Sequence, residues 1–404
     1  MPRTDGRRAR LACAWPLLLC ATLLWAGLAA AAPRIGVVTM EPGEIFFERF
    51  GHNAIVVADD DAGTPVAYNY GYFDLEEEDF VGRFVRGEMM YRLVELPLHD
   101  DLRYYGHVGR GVVVQWLDVA PAAAEALAAR LHADANGPNQ RYRYDYYTAN
   151  CSTKVRDAID AALGGALRPQ LEARSQGNTY RSESVRLAAP AWWMATGFHL
   201  GLGDYADRPL SRWDEGFIPM RLRDSLREAK TPDGRPLVIA EEELLPHRIG
   251  QPPAETPRPR GAALLAGIAL ALGALWSSRR APRALAAGAL AFWTLAGLAG
   301  ATMLFIWFGT AHVSGWRNLN LLLLNPLAWA LLPGAWARLR GRAPPAWFRG
   351  VLWVVVGLAA IAGFAQFLPF VRQQNVEWVL LLLPLHWALL RAFDPKNQLP
   401  ASSS

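Results

Sequence analysis

The chain lacks acidic residues altogether over residues 256–376, a stretch composed mainly of Leu, Ala, Gly and Trp. It also has little cysteine: three among 404 residues, and two of these lie within the first 32. Residues 33–255, by contrast, hold 34 acidic and 24 basic residues, so the net charge of +4 averages an acidic part and a basic part. These features exclude a purely soluble enzyme, a disordered tail protein and a disulfide-stapled secreted scaffold. The basic overall charge does not indicate a nucleic-acid binder, because it comes from the apolar part of the chain.

The first 32 residues have the pattern of an export signal. Arg7, Arg8 and Arg10 precede an apolar run over residues 11–32 that ends in a cluster of alanines. Such a run is removed as a signal peptide or, when it is long enough to span a bilayer, kept as an N-terminal anchor. Both outcomes place the residues that follow on the outer side of the membrane.

Further apolar runs predict an all-α membrane domain of about five helices over residues 261–392. The runs cover residues 261–276, 284–308, 319–336, 351–370 and 377–390. A bilayer-spanning helix needs roughly 20 predominantly apolar residues, and several of these runs approach or exceed that length. Residues 251–260 are rich in proline and predict a linker into this domain.

The arginines give the orientation of these runs. They concentrate in loops 277–283 and 337–350, and the C-terminal end adds Arg391 and Lys396, whereas the intervening loops hold only Arg317 and Arg372. Basic loops are retained in the cytoplasm, so the alternation makes the tail cytoplasmic and residues 33–250 periplasmic. The sequence therefore predicts a multi-pass protein of the bacterial inner membrane with a sizeable periplasmic domain.

The periplasmic residues predict a mixed α+β domain. Strand patterns cover residues 34–40, 54–58, 66–70 and 112–117, and helical patterns cover residues 121–135 and 152–166. A cluster of turn residues over 59–65 predicts a hairpin between the second and third strands. No Gly-rich phosphate loop, paired CxxC or HExxH pattern is present in the sequence.

The candidate chemistry lies in one cysteine and one histidine. Cys151 is the only cysteine of residues 33–250, so an internal disulfide cannot form there. The predicted helix places it at a helix start, where free backbone N–H groups and the macrodipole favour a thiolate. His52 stands at the entry to a strand. A thiolate with a nearby imidazole is the pair that covalent acyl chemistry requires, so Cys151 is the candidate nucleophile and His52 the candidate base.

A third polar group is needed to orient the imidazole. Asn69, on the strand that the hairpin pairs with that of His52, is the first candidate, and Asp74 is the second. Structural roles also remain open at this point: His52 could fill a strand end and Cys151 could be a buried thiol. Asn150 could cap the helix, a role that is compatible with catalysis.

In chain order the histidine, His52, comes first and the cysteine, Cys151, comes second, at a helix start. This arrangement in a strand-rich domain resembles the circularly permuted papain-like, or NlpC-type, fold. More narrowly, the chain resembles the Lnb-type family of bacterial lipoprotein N-acyltransferases. The matching stretches are residues 50–55, 68–74, 150–157, 203–207 and 217–219 in the periplasmic part, and His312, 318–322 and 325–327 in the membrane part. The resemblance covers most of residues 33–392.

The resemblance implies a cysteine acyltransferase that works at the lipid bilayer without a metal or organic cofactor. Cys151 would take a fatty acyl group from a phospholipid as a thioester, and the N-terminal amine of a lipoprotein would accept it. His52 and Asn69 would complete the catalytic set. Contacts to substrate are expected from Asn150, Asp74, Tyr70, His312, Asn318 and Asn320. For the two asparagines a helix-bridging role is an equal alternative, and His312 could be a loop residue.

Two other functions fit the same residues. A membrane-tethered cysteine hydrolase would use water as the acceptor and cut peptidoglycan peptides or a lipid ester. A non-enzymatic envelope assembly protein would keep Cys151 buried and chemically unused.

Overall fold

The computed structural model describes residues 32–59, 63–255 and 258–394 of the chain. The periplasmic part is built on one seven-stranded antiparallel sheet with the strand order β6-β4-β3-β2-β1-β5-β7. In chain order the strands are β1 (Arg34–Met40), β2 (His52–Ala58), β3 (Val66–Tyr72), β4 (Met90–Pro97), β5 (Val112–Leu117), β6 (Arg141–Arg143) and β7 (Val238–Leu245). The predicted export-signal run up to residue 31 and the tail from residue 395 lie outside the described residues.

Helices cover both faces of this sheet. They are α1 (Phe80–Arg86), α2 (Leu98–Val108), α3 (Pro121–Ala135), α4 (Cys151–Ala162), α5 (Leu167–Glu172), α6 (Tyr180–Ala188), α7 (Trp192–Gly201), α8 (Arg212–Glu215) and α9 (Pro219–Glu228). Side chains alternate along each strand, so β1 contributes Val37 to one face and Val38 to the other. The first face packs against α3, α4 and α9, and the second packs against α2.

Most local predictions for this part are confirmed. Strands β1 and β5 and helix α3 have the expected bounds, and the hairpin is confirmed because β2 pairs antiparallel with β3. Helix α4 begins one residue before the predicted start and ends earlier, because Gly164 and Gly165 adopt positive φ angles that terminate it. Edge strand β7 was not predicted, since three consecutive glutamates in its sequence are atypical of strands.

The membrane part contains four segments that are long and apolar enough to cross a bilayer, among the described residues. They are α10 (Arg260–Arg280), α11 (Pro282–Gly309), the segment Val313–Leu339, and α13 (Phe348–Ala365). The fifth predicted run forms α14 (Val376–Ala392), a shorter helix of 17 residues that contains Pro384. The described residues thus contain four candidate spans where about five were expected, because the last apolar run forms only a shorter helix.

The segment Val313–Leu339 is not the continuous helix that its apolar sequence predicts. It consists of 3₁₀ helices at Val313–Gly315, Leu319–Leu322 and Pro326–Leu331, followed by α12 (Leu332–Leu339). Pro326 and Pro333 have no N–H to donate to an α-helical ladder. The side chain of Asn318 accepts a hydrogen bond from the backbone of Asn320 and so competes with helix formation.

The periplasmic part and the membrane part meet where α7 ends and the segment Val313–Leu339 begins. The side-chain amides of Asn318 and Asn320 both donate to the carbonyl of Leu200, with N···O distances of 2.6 and 3.0 Å. Two backbone hydrogen bonds of 2.7 Å add to this junction, from Ala311 to the Arg86 carbonyl and from Gly203 to the Ser314 carbonyl. The periplasmic domain is thus bonded directly to the outer end of the membrane part.

Candidate active site

The thiol of Cys151 lies at the first residue of α4. Asn150 is the N-cap of this helix: its Oδ1 accepts from the Thr153 N–H at 2.9 Å, and the Thr153 hydroxyl accepts from the Asn150 N–H at 2.8 Å. This reciprocal capping box fixes the first turn. The Asn150 amide also donates to the carbonyls of Tyr146 and Phe217. The cap therefore holds the nucleophile-bearing end of the helix in place.

His52 is the first residue of β2. The preceding Gly51 has a φ of +79°, and a Cβ there would lie 2.9 Å from the carbonyl oxygen of Met40, so only glycine fits this turn into the strand. On the neighbouring strand β3, the Oδ1 of Asn69 lies 3.0 Å from His52 Nε2. The hairpin that the sequence predicts thus brings the first candidate for the orienting residue to the imidazole.

Asp101 on α2 extends this chain of hydrogen bonds. The amide nitrogen of Asn69 donates to Asp101 Oδ2 at 2.9 Å. Because a carboxylate oxygen only accepts, this bond fixes the amide orientation and leaves Asn69 Oδ1 facing His52. The amide oxygen in turn requires a proton on Nε2, so Nδ1 remains as the basic nitrogen. His52 also forms a side-chain hydrogen bond with Cys151.

Neighbours of the two reactive residues join β2 to α4. The Ser152 hydroxyl lies 2.8 Å from Asn53 Oδ1 and 2.6 Å from the Gly216 carbonyl oxygen, and the Asn53 amide donates to Thr39 Oγ1 at 2.8 Å. Ser152, Asn53 and Thr39 are all fully buried. Because Asn53 follows His52 and Ser152 follows Cys151, these bonds set the spacing of the imidazole and the thiol.

We expect Ser152→Ala to destabilise this connection. It would remove the single hydroxyl proton that the buried Asn53 Oδ1 and Gly216 carbonyl oxygen share, a loss of about 1–3 kcal/mol in unfolding free energy. Thermal unfolding of the purified protein should show a midpoint lowered by several degrees. Thr64→Ala, at an exposed turn position, is the control and should leave the midpoint within a degree. An equal midpoint for both variants would refute the role assigned to Ser152.

The electrostatics of the pair favour separated charges. Burial raises the pKa of the Cys151 thiol, but the positive charge and hydrogen bond of His52, with the backbone N–H groups of Asn53 and Ser152, outweigh it and lower that pKa overall. Burial also opposes the imidazolium, but the negative charge of Cys151 and hydrogen bonds with Cys151 and Asn69 raise the pKa of His52 overall. Both shifts therefore favour the thiolate–imidazolium form of the pair.

A cavity of about 540 Å³ opens in front of the thiol. Its walls are largely aromatic and aliphatic side chains. Its polar wall residues include His52, Asn69, Asp101 and Cys151. The aromatic wall residues include Phe46, Phe47, Phe50, Tyr70, Tyr72, Phe73, Tyr91, Tyr104, Tyr105, Tyr144, Tyr146, Tyr147, Phe198 and Phe217. A mainly apolar cavity with a few convergent polar groups is typical of a site for a small or lipid substrate.

Comparison with known families identifies both parts of the chain. The Lnb N-terminal periplasmic domain matches residues 25–190, and the Lnb transmembrane domain matches residues 253–393. The chain belongs to the Lnb family. It is an inner-membrane protein with a periplasmic domain, and family membership indicates a membrane-bound protein of lipoprotein modification. No curated protein and no solved structure matches it significantly.

The substrate-contacting residues predicted for this Lnb chain lie at three places. Tyr70 and Asn150 line the Cys151 cavity. Asp74 instead caps a turn by accepting from the Glu76 N–H at 2.9 Å, and it is not part of the cavity wall. His312 lies at the junction of the two parts, stacked on Tyr146 with ring centroids 6.0 Å apart.

Asn318 and Asn320 lie deeper in that junction, where both side chains are buried. Besides donating to Leu200, they accept hydrogen bonds of 2.8 Å from Gln373 and Asn375 respectively. Both ends of each amide are therefore engaged by protein groups. This arrangement favours the bridging role over direct contact with a lipid headgroup.

Asp101 is the residue of the Lnb site that the sequence interpretation missed. Helix α2 carries Leu98, Leu102 and Tyr105 on its inner face, and Asp101 occupies the same face at helical spacing. The signal available in the sequence was a single acidic residue on an otherwise apolar helix face.

The cavity wall also includes Arg110, which is 3% exposed and has its Nη1 3.5 Å from Glu48 Oε1. Among the described residues, no group of three or more His, Cys, Asp or Glu side chains could hold a metal ion.

In the acyl chemistry expected of Cys151 and His52, Asp101→Asn should slow loading of the thiol by roughly 10–100-fold, because a partner that orients the imidazole is altered. The Asp101 charge favours the imidazolium of His52, so its loss should also move the His52 limb of the pH–rate profile to lower pH. Single-turnover loading measured across pH tests both effects. Asp100→Asn, at the partly exposed neighbouring position in the same helical turn, is the matched control. If the rate falls but the His52 limb of the pH–rate profile stays in place, the role of Asp101 is purely structural.

Proposed function

We propose that this Lnb protein is a cysteine acyltransferase, moving a fatty acyl group from phospholipid through a Cys151 thioester to the N-terminal amine of a lipoprotein. The observation that carries the proposal is the hydrogen-bonded series Cys151, His52, Asn69 and Asp101 at the wall of a largely apolar cavity. The family match to a periplasmic domain joined to a membrane domain supports substrates that reside in the bilayer.

In the first step the Cys151 thiolate, whose proton is held on His52 Nδ1, attacks the carbonyl carbon of a phospholipid ester. The backbone N–H of Cys151 has no intrahelical acceptor, because it belongs to the first turn of α4, and it can donate to the developing oxyanion. The tetrahedral intermediate then collapses with cleavage of the carbon–oxygen bond. The imidazolium returns its proton to the leaving oxygen, which gives a thioester and a lysophospholipid.

In the second step a neutral α-amine of the lipoprotein attacks the thioester carbonyl. His52 takes a proton from the attacking nitrogen, and the carbon–sulfur bond breaks to expel the Cys151 thiolate. The products are an N-acylated lipoprotein and the thiolate–imidazolium pair from which the cycle began. Asn69 holds the imidazole in one orientation and tautomer throughout, and neither step requires a metal or organic cofactor.

The cavity walls also favour transfer over hydrolysis. An acyl chain bonded to Cys151 would fill a space lined by aromatic rings and displace water from the thioester. Aminolysis then needs only an amine that reaches the carbonyl. The same catalytic residues in a water-filled groove would favour the hydrolase alternative.

The His-then-Cys order and the antiparallel sheet support assignment of residues 33–250 to the permuted papain-like class. We propose the remaining division as a linker over residues 251–260, a membrane domain over 261–392 and a cytoplasmic tail over 393–404. Residues 1–32 would be the signal peptide or anchor.

Product analysis tests the acceptor. The purified full-length protein is incubated with phosphatidylethanolamine vesicles that carry a labelled acyl chain and with a synthetic S-diacylglyceryl-cysteinyl peptide. The proposal predicts label in amide linkage on the peptide nitrogen. Labelled free fatty acid with or without the peptide would indicate a lipid hydrolase, and label in neither product would contradict both acyl transfer and lipid hydrolysis.

A further inference from the structure

A second cavity of about 290 Å³ lies beside the Cys151 cavity, at the junction with the membrane part. The two cavities share four wall residues: Phe46, Tyr146, Tyr147 and Phe198. One layer of aromatic side chains therefore separates them. The remaining walls come from α7, from the end of α11 and from the loop that contains His312 and Ser314.

This junction cavity lies at the level where the bilayer ends. Ile306, one of its wall residues, is in the last turn of the candidate span α11. Trp192 and Trp193 at the start of α7 are 76% and 57% exposed, and Trp193 also lines the cavity. Exposed tryptophans beside a spanning helix are typical of the membrane–water interface. A lipid chain that entered this cavity from the bilayer would not have to cross the periplasm.

Glycines keep the junction cavity open. Gly197 and Gly201 lie one turn apart on α7 and line the cavity, and a Cβ added at either position would meet no atom within 4 Å. Glycine within a helix costs roughly 0.5–1 kcal/mol relative to alanine. Close packing against protein does not require a glycine at position 197. We therefore attribute this glycine to the open space beside it.

We propose that the junction cavity binds a hydrocarbon chain of the acceptor, the diacylglyceryl anchor of a lipoprotein, while the donated acyl chain occupies the Cys151 cavity. This inference rests on the proposed function. After the first step the acyl chain stays bonded to Cys151, so the first cavity is filled when the acceptor arrives. The acceptor is still anchored in the bilayer by its own chains. A neighbouring apolar cavity at bilayer level would hold one of them with the amine close to the thioester.

The test separates the two half-reactions in the full-length protein. Gly197→Leu adds a bulky side chain at a wall residue of the junction cavity that is not a wall residue of the Cys151 cavity. Loading is followed as the acyl-thioester mass on Cys151 after addition of phosphatidylethanolamine vesicles. Transfer is followed as loss of that mass after addition of the S-diacylglyceryl-cysteinyl peptide. We expect the rate of transfer to fall at least tenfold more than the rate of loading.

Gly288→Leu is the matched control, because Gly288 is an exposed helical glycine of α11 whose added Cβ also meets open space. It should change the ratio of the two rates by less than twofold. An equal loss of loading and transfer in Gly197→Leu would assign the cavity to the donor and overturn the proposal. Unchanged rates for both steps would overturn it as well. Failure of the wild-type protein to form any thioester would refute the proposed function itself, which is a different result.

Discussion

The Cys151→Ala protein is expected to transfer no measurable acyl group, a loss of at least about 10³-fold relative to wild type. Alanine has no atom that can carry the acyl intermediate, so both half-reactions stop. The bonds that build this end of α4 come from Asn150, Ser152 and Thr153 rather than from the thiol, so the fold should persist. The measurement is the rate at which N-acylated peptide forms, followed by mass spectrometry.

Cys151→Ser is the companion variant for this prediction. It keeps the approximate size of the side chain but replaces the thiol, whose pKa this site lowers, with a hydroxyl that is a much weaker acid. Both variants should unfold near the wild-type midpoint and both should be inactive. Activity above one tenth of wild type in either would exclude Cys151 as the nucleophile. An assembly protein with a structural thiol would tolerate the serine.

His52→Ala should lower the rate of acyl loading by about 10²–10⁴-fold, the range expected when a general base is removed. It should also raise the pKa of Cys151, because the charge and hydrogen bond that stabilise the thiolate are lost. In wild type, loading should rise as the pH passes the lowered thiol pKa. It should fall again above the raised pKa of His52, where the imidazolium that protonates the leaving oxygen is lost.

Alkylation of Cys151 by iodoacetamide across pH reports the thiolate directly. The His52→Ala curve should shift to higher pH relative to wild type. His107→Ala, an exposed histidine on α2, is the control and should leave the curve in place. An unshifted curve in His52→Ala would mean that the imidazole does not stabilise the thiolate, and the pair as described would be wrong.

The sequence allowed the local parts of this structure to be predicted. The β-branched apolar run of β1 and the proline-initiated apolar pattern of α3 are properties of neighbouring residues, and both elements have the expected bounds. The His52–Asn69 contact was also accessible, because a turn cluster between two strands implies a hairpin that brings them side by side.

The remaining features depend on distant parts of the chain. Asp101 reaches Asn69 across 32 residues because α2 packs over the sheet, and no spacing rule encodes that approach. The breaks in segment Val313–Leu339 arise from prolines and asparagines whose partners include Leu200, far away in the sequence. An apolar run indicates membrane insertion, but it does not indicate whether the backbone stays helical.

The most direct test of the central claim is the intact mass of the wild-type protein after incubation with phospholipid vesicles. The account predicts a gain of one fatty-acyl mass that neutral hydroxylamine removes and that Cys151→Ser does not show. In His52→Ala the adduct should be reduced to a trace. If the wild-type protein gains no mass, and its folded Cys151 also resists alkylation, the thiol is structural and acyl transfer through it is contradicted.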